Sequence, residues 1–327
     1  MSYARTVHLP VSPDEAFALI TEPERLRRWQ TVSATVDLRV GGSYRWTVVP
    51  GHLASGTFRE VVPGKQVVFG WGWEGNPDLL PDTSTVTITL EPTETGTDVT
   101  LVHEGLTEEQ AVSHAEGWEH FLQRLERLAT EGDAGQDEWA WAPEQLDALV
   151  AAEAALAALQ PVLRNLTPEH RELPTPCADL TCHQLVDHLM VSLQQLGAMA
   201  GGSVTIPEQG SAESRVSETA AQAIDAWRSR GLDGTVPGPA GAETPASFLA
   251  GILPIELVLH GWDIAQSTGQ PLRVSDEVVG HVAGLAEGVV PGGRQGGSFG
   301  PEQQPAPGAS ALDRLAAFAG RTPIAAA

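Results

Sequence analysis

The stretch Thr85-Val86-Thr87-Ile88-Thr89-Leu90 carries apolar residues at every second position. Across Glu94-Thr95-Gly96 it is answered by Thr97-Asp98-Val99-Thr100-Leu101-Val102, with the same period. Two alternating runs around a turn signal predict an antiparallel hairpin with one face buried. Working back, Gln66-Val67-Val68-Phe69-Gly70-Trp71 and Thr57-Phe58-Arg59-Glu60-Val61-Val62 flank Pro63-Gly64. Tyr44, Trp46 and Val48 follow Gly41-Gly42, with Val36, Leu38 and Val40 alternating before it. Short strands joined by such turns predict one antiparallel sheet. Ser12-Pro13-Asp14-Glu15 is a helix start, with Ser12 to cap, Pro13 in the first turn and Glu15 to complete a capping box. Working forward, the period becomes 3.6 from Thr107 to Ala129. There Trp118, Phe121, Leu122, Leu125 and Leu128 form one stripe of a long helix that must lie on the sheet. Residues 1–130 therefore read as an α+β domain.

Residues 131–142 are acidic and poor in aliphatic side chains, so they read as a linker. Trp139 and Trp141 are unusual in a free tether and predict that part of it docks on a domain surface. Residues 143–327 are Ala-rich and helical, without a strand run. Helices are expected from Pro143 to Leu159, from the Thr181-Cys182-His183-Gln184 capping box to Met199, and from Glu213 to Ser229. A fourth should run from Thr244-Pro245 past Asp263 with a kink at Pro254. A fifth starts near Ser275, residues 291–308 read as a Gly/Pro loop, and a last helix covers Ser310 to Ala319. An all-α bundle is the natural architecture.

Glu256-Leu257-Val258-Leu259-His260 places a carboxylate and an imidazole one helical turn apart, inside an otherwise apolar segment. An ionised carboxylate buried without a partner is costly, and a shared cation removes that cost. His188, at the edge of the apolar face made by Leu185 and Leu189, supplies a third ligand from another helix. Two imidazoles and one carboxylate leave an open position, as catalytic zinc sites do. Asp263, three residues after His260, shares its face and can hold the spare ring nitrogen. Zinc suits this donor set, and nickel or iron accepts the same ligands. Glu and His at this spacing also form an ordinary helix pair, so spacing alone leaves both readings open. Cys177 and Cys182 lack redox-motif spacing. A thiol at a helix start is expected to have a lowered pKa.

The 327 residues suit two domains of roughly 100–200 residues each. Asp and Glu number 42 against 19 Lys and Arg, for a formal charge of −23, and Lys65 is the only lysine. Such a chain repels phosphate backbones and anionic bilayers, so neither nucleic acid nor a membrane is expected as partner. The Arg25, Arg27, Arg28 cluster sits beside Glu22 and Glu24 and reads as a solvated helix face. With two cysteines, no apolar leader and no unbroken apolar run of spanning length, a cytoplasmic location is expected. A homodimer stays open.

Two resemblances extend these readings. Val11-Ser12-Pro13-Asp14-Glu15-Ala16-Phe17, the run from Thr21 to Trp29, Asp37-Leu38-Arg39-Val40-Gly41-Gly42-Ser43-Tyr44 and Gly117-Trp118 resemble the Hsp90-ATPase-activator-like branch of the START-like (SRPBCC) superfamily. That implies a helix-grip domain, an antiparallel sheet wrapped on a long C-terminal helix, with a cavity for an apolar or aromatic small molecule. Trp46, Phe58, Phe69, Trp71, Trp73, Trp118 and Phe121 are the candidate lining residues, or alternatively plain core. His103, His114 and His120 are candidate polar groups without identifiable partners.

The second half resembles the DinB-like, mycothiol-dependent maleylpyruvate isomerase superfamily of metal-binding proteins. The carrying segments are Pro174-Thr175-Pro176-Cys177 with the helix to His188-Leu189, the run from Glu256 to Ala265, and the run from Leu312 to Pro323. Leu180 departs from the pattern, where a Trp is usual. The resemblance implies a four-helix core with metal ligands at His188, Glu256 and His260, and mycothiol as cosubstrate. The leading expectation is a metal-dependent enzyme of small-molecule thiol chemistry, a transferase or isomerase, with the first domain holding an apolar partner substrate. Two alternatives remain: a non-enzymatic small-molecule-binding, stress or sensor protein, and a thiol-independent metal hydrolase or cyclase.

Overall fold

The structure is a computed structural model that describes residues 1–324 except 178, 239 and 240. It divides into two compact units, Met1–Glu138 and Trp139–Ala327.

The first unit comprises β1 (Ser2–Leu9), α1 (Pro13–Thr21), α2 (Pro23–Leu26), β2 (Ser33–Val36), β3 (Ser43–Val49), β4 (His52–Val62), β5 (Gln66–Trp71), β6 (Ser84–Pro92), β7 (Thr97–Glu104) and α3 (Glu108–Glu131). The strands form a seven-stranded sheet in the order β1-β7-β6-β5-β4-β3-β2, with every pairing antiparallel. The expected hairpin is β6–β7, in register from Thr85↔Glu104 to Pro92↔Thr97. Helix α1 starts at Pro13 with Ser12 accepting from the Glu15 N–H, while the Glu15 carboxylate meets Arg25 at 3.3 Å instead of completing the expected capping box. Helix α3 opens on a capping box between Thr107 and Gln110 and ends at Gly132 in the left-handed conformation. Its stripe of Trp118, Phe121, Leu122, Leu125 and Leu128 joins one core with the inner face of the sheet.

Two details depart from expectation. Val36 ends β2, and Leu38 and Val40 are exposed. A Cβ at Gly42 would lie 2.0 Å from the Asp37 carbonyl oxygen, so the chain doubles back tightly there instead of extending as a strand. Strand β1 was not foreseen. It pairs with β7 along its whole length, but only Val7 and Leu9 are buried, so the alternation in its first half is weak.

The expected linker does not leave the first unit as a free tether. Arg124 on α3 is buried; it donates to the carbonyls of Trp29, Gly135 and Gln136 at 3.0, 3.2 and 3.1 Å. His120 meets Asp137 at 2.9 Å. The segment thus docks as expected, anchored by Arg124 and His120, while Trp139 and Trp141, in α4 (Glu138–Trp141), are exposed.

The second unit is mostly helical: α5 (Ala148–Arg164), α6 (Cys182–Met199), α7 (Ala212–Arg230), α8 (Ala246–Ala250), α9 (Ile252–Thr268), α10 (Asp276–Gln295) and α11 (Ala311–Phe318). Helix α5 packs on α9 and α7, and α6 packs on the same two, so these four close a ring. A two-stranded ribbon, β8 (Thr235–Pro237) with β9 (Glu243–Pro245), was not expected; three-residue strands leave no readable period.

Helix α5 begins at Ala148 and not at Pro143, because Asp147 caps the N–H groups of Leu149 and Val150. The fourth expected helix is two helices that meet at Gly251. Pro254 therefore stands in the first turn of α9, where a missing N–H is harmless. Pro291 lies inside α10, which continues to Gln295, so the loop starts later than expected. The segment Ala246–Thr268 is long and apolar enough to cross a membrane by length and composition, but 83% of its apolar window is buried within the unit, as a core helix would be.

Candidate metal centre

Helix α6 is opened by a Thr181–Gln184 capping box and buries Leu185, Leu189, Leu193 and Leu196. His188 stands on the rim of that face and is exposed. Helix α9 buries nearly its whole circumference, including His260 and Asp263. The rings of His188 and His260 meet edge-on with centroids 5.2 Å apart. One ligand atom each from His188, Glu256 and His260 lies within 4.8 Å of the others. The three expected ligands, from two helices, thus come together with His188 on the solvent side.

His260 Nε2 and Glu256 Oε2 are 3.3 Å apart, yet Oε2 is buried without an aligned hydrogen bond. Their separation suits a shared ion as well as a direct pair. Two N/O ligands tetrahedrally disposed at zinc distances would stand about 3.3 Å apart. On the far edge of the ring, His260 Nδ1 lies 3.2 Å from Asp263 Oδ2, and Asp263 is fully buried. Asp263 therefore occupies the expected orienting position. Arg321 Nε lies 3.5 Å from the same carboxylate, a contact that the sequence reading missed. Cys177 joins His260 and Asp263 in a second cluster with the same 4.8 Å limit.

Burial alone would push the His260 imidazole down; the Glu256 and Asp263 carboxylates outweigh it and hold it well above its ordinary value. Burial would raise the Glu256 carboxyl, yet the two imidazoles and the Ser192 hydroxyl keep it below the usual range. Burial, with His260 beside it, pushes His188 down, which favours a neutral, ligating ring. The expected low-pKa thiol at the start of α6 is not found. Cys182 is buried, and burial pushes its thiol up.

In the first unit Trp46, Phe58, Phe69, Trp71, Trp118 and Phe121 are buried in one cluster, with Trp73 half-buried against it. Many of these rings meet edge-on, such as Trp71 and Trp73 at 5.3 Å. The histidines without identifiable partners acquire them. His103 Nδ1 accepts from Trp118 Nε1 at 3.1 Å, and its Nε2 meets Ser84 Oγ at 2.9 Å. His114 Nε2 accepts from both Trp71 and Trp73. The signal was present: His103 falls on the inner period of β7, and His114 lies one helical turn before Trp118.

Residues 10–130 match the family described as Activator of Hsp90 ATPase homolog 1-like protein. This segment is an AHSA1-like domain. Among solved structures, the AHSA1-like protein of Rhizobium etli is 36% identical and matches over 45% of this chain and 91% of that one, with a TM-score of 0.37. CalU16 of Micromonospora echinospora is 28% identical over 40% of this chain and 77% of its own, with a TM-score of 0.34. The uncharacterized protein Rv0738 of Mycobacterium tuberculosis is 29% identical over 182 residues, 54% of this chain and 99% of that protein. A match of that length exceeds the AHSA1-like domain and so reaches into the second unit.

Proposed function

We propose that the second unit binds one divalent cation through His188, Glu256 and His260, as a DinB-like four-helix domain, and serves as a metal-dependent enzyme of small-molecule thiol chemistry, a transferase or isomerase. The AHSA1-like domain holds an apolar small molecule in this reading. The observation that supports it is the convergence of the three ligand atoms within 4.8 Å, with the buried Glu256 Oε2 only 3.3 Å from His260 Nε2. Zinc fits this donor set, with nickel and iron as alternatives. When bound, the ion supplies Lewis acidity that lowers the pKa of a thiol or water presented to it.

The chain's own residues do the rest. Asp263 accepts from His260 Nδ1–H and so leaves Nε2 free to ligate. The apolar wall of α9 keeps water from the inner side, and the exposed edge at His188 leaves an approach for substrate. The thiol is proposed to be mycothiol, on the resemblance of the second half.

The test is metal content of the full chain purified without chelator. One equivalent of metal per chain is expected, and a His260→Ala variant should lose it. Equal, negligible metal in both would end the metal reading. Turnover of an electrophilic test substrate that persists without any low-molecular-weight thiol would favour the hydrolase or cyclase reading.

A further inference from the structure

The ring of His260 has two nitrogen edges, and each meets a carboxylate. Nε2 lies 3.3 Å from Glu256 Oε2, and Nδ1 lies 3.2 Å from Asp263 Oδ2. Cys177 stands on the Asp263 side, with ligand atoms of Cys177, His260 and Asp263 all within 4.8 Å of one another. Its thiol is free and half-buried, within hydrogen-bond reach of the His260 ring. The turn before α6 holds it there: Pro174 is bridged to Thr181, and Thr175 Oγ1 donates to the Cys177 carbonyl at 3.1 Å. Asp263 is fully buried, and its Oδ1 accepts no hydrogen bond among the described residues. A buried carboxylate oxygen left in that state is costly, and a cation beside it removes the cost.

Arg321 decides which cation fits. Its Nε lies 3.5 Å from Asp263 Oδ2, its Nη1 donates to the Ala319 carbonyl at 3.0 Å, and its guanidinium lies over the Phe299 ring, 5.3 Å from the centroid. These contacts hold a buried positive charge beside the carboxylate. A Cys177 thiolate and the Asp263 carboxylate carry two negative charges and Arg321 one positive, so one negative charge is left over. A monovalent cation closes that balance. A divalent one would leave a buried positive charge without a partner. Thiolate sulfur selects soft ions, Cu(I) among them.

We propose that Cys177, Asp263 and His260 Nδ1 form a second cation position, for a soft monovalent ion such as Cu(I), and that His260 serves only one position at a time. A neutral imidazole has one N–H and one lone pair. With the proton on Nδ1, donated to Asp263, Nε2 serves the outer group of His188 and Glu256. With the proton on Nε2, donated to Glu256, Nδ1 serves the inner group of Cys177 and Asp263. The outer position opens to solvent at the exposed His188, where water or an added anion balances a divalent ion. Zinc therefore belongs to the outer position and Cu(I) to the inner one. The inner position does not rest on the enzymatic reading; it stands or falls on the Cys177 sulfur.

The test loads the full chain with Cu(I) under anaerobic conditions, supplied as its acetonitrile complex, and reads affinity by competition with bicinchoninate. One equivalent of Cu(I) should be retained, with sulfur and one imidazole nitrogen in the shell seen by copper-edge X-ray absorption. Cys177→Ser should weaken Cu(I) by more than the roughly 100-fold that loss of a residue supporting a metal ligand costs, and leave zinc affinity in place. His188→Ala should do the reverse. Cu(I) added to the zinc-loaded chain should release the zinc to a chromophoric chelator. No retained Cu(I), a copper shell without sulfur, a Cu(I) affinity unmoved by Cys177→Ser with Cys182 still present, or both ions held together would each overturn the proposal. None of these results touches the zinc reading, which zinc affinity tests by itself. The copper-edge spectrum is taken on the parent chain, so the proposal is decided even where Cys177→Ser fails to fold.

Discussion

His260 Nδ1 lies 3.2 Å from Oδ2 of Asp263, a carboxylate with no solvent exposure. A buried carboxylate there fixes the ring orientation and makes the opposite nitrogen more basic. Asp263→Asn keeps the shape and removes the charge. Zinc affinity, measured by competition with a chromophoric chelator, should fall by about 10–100-fold. Unchanged affinity would mean that Asp263 serves only the fold.

His188 is exposed, so its removal should cost little in folding. His188→Ala is expected to melt within about 0.5 kcal/mol of the parent when metal is absent. The stabilisation gained on adding zinc should largely disappear, because the third ligand is gone. A thermal melt with and without zinc checks both halves.

Arg124 ties α3 to the carbonyls of Trp29, Gly135 and Gln136. Arg124→Met keeps much of the stem and strands those carbonyls. The AHSA1-like domain should lose about 2–4 kcal/mol of stability, and protease should cut near residues 134–137 sooner. Denaturant melts and timed digestion would show it.

Burial pushes His103 down to about 3, from an unfolded value of 6.5, and lowers His114 as well. The unfolded chain therefore takes up the His103 proton first. The stability tied to the neutral ring is complete above pH 6.5 and is lost as pH falls toward 3, at about 1.4 kcal/mol per unit. His103→Gln, which does not titrate, should flatten that part of the acid profile followed by tryptophan fluorescence.

Much of this was legible because period speaks clearly where one face is buried. The β6–β7 alternation and the α3 stripe gave the antiparallel sheet and the helix that covers it, and Glu256 and His260 stood out by a one-turn spacing in an apolar run. What was hidden is non-local. Arg321 reaches Asp263 from 58 positions away in the chain (321 − 263), and no helical or strand period links them. Nothing local to Arg124 in the sequence points to the carbonyls of Trp29, Gly135 and Gln136 that surround it. The exposure of His188 was also hidden, since a residue at the margin of an apolar stripe turns in or out according to its neighbours on other helices.

The direct measurement is X-ray absorption at the zinc edge on the zinc-loaded full chain, without added thiol. The account predicts a shell of nitrogen and oxygen only, with two imidazoles, and no sulfur. A sulfur scatterer would place the ion at Cys177, His260 and Asp263 instead, and the absence of any ordered protein ligand shell would contradict the metal centre altogether.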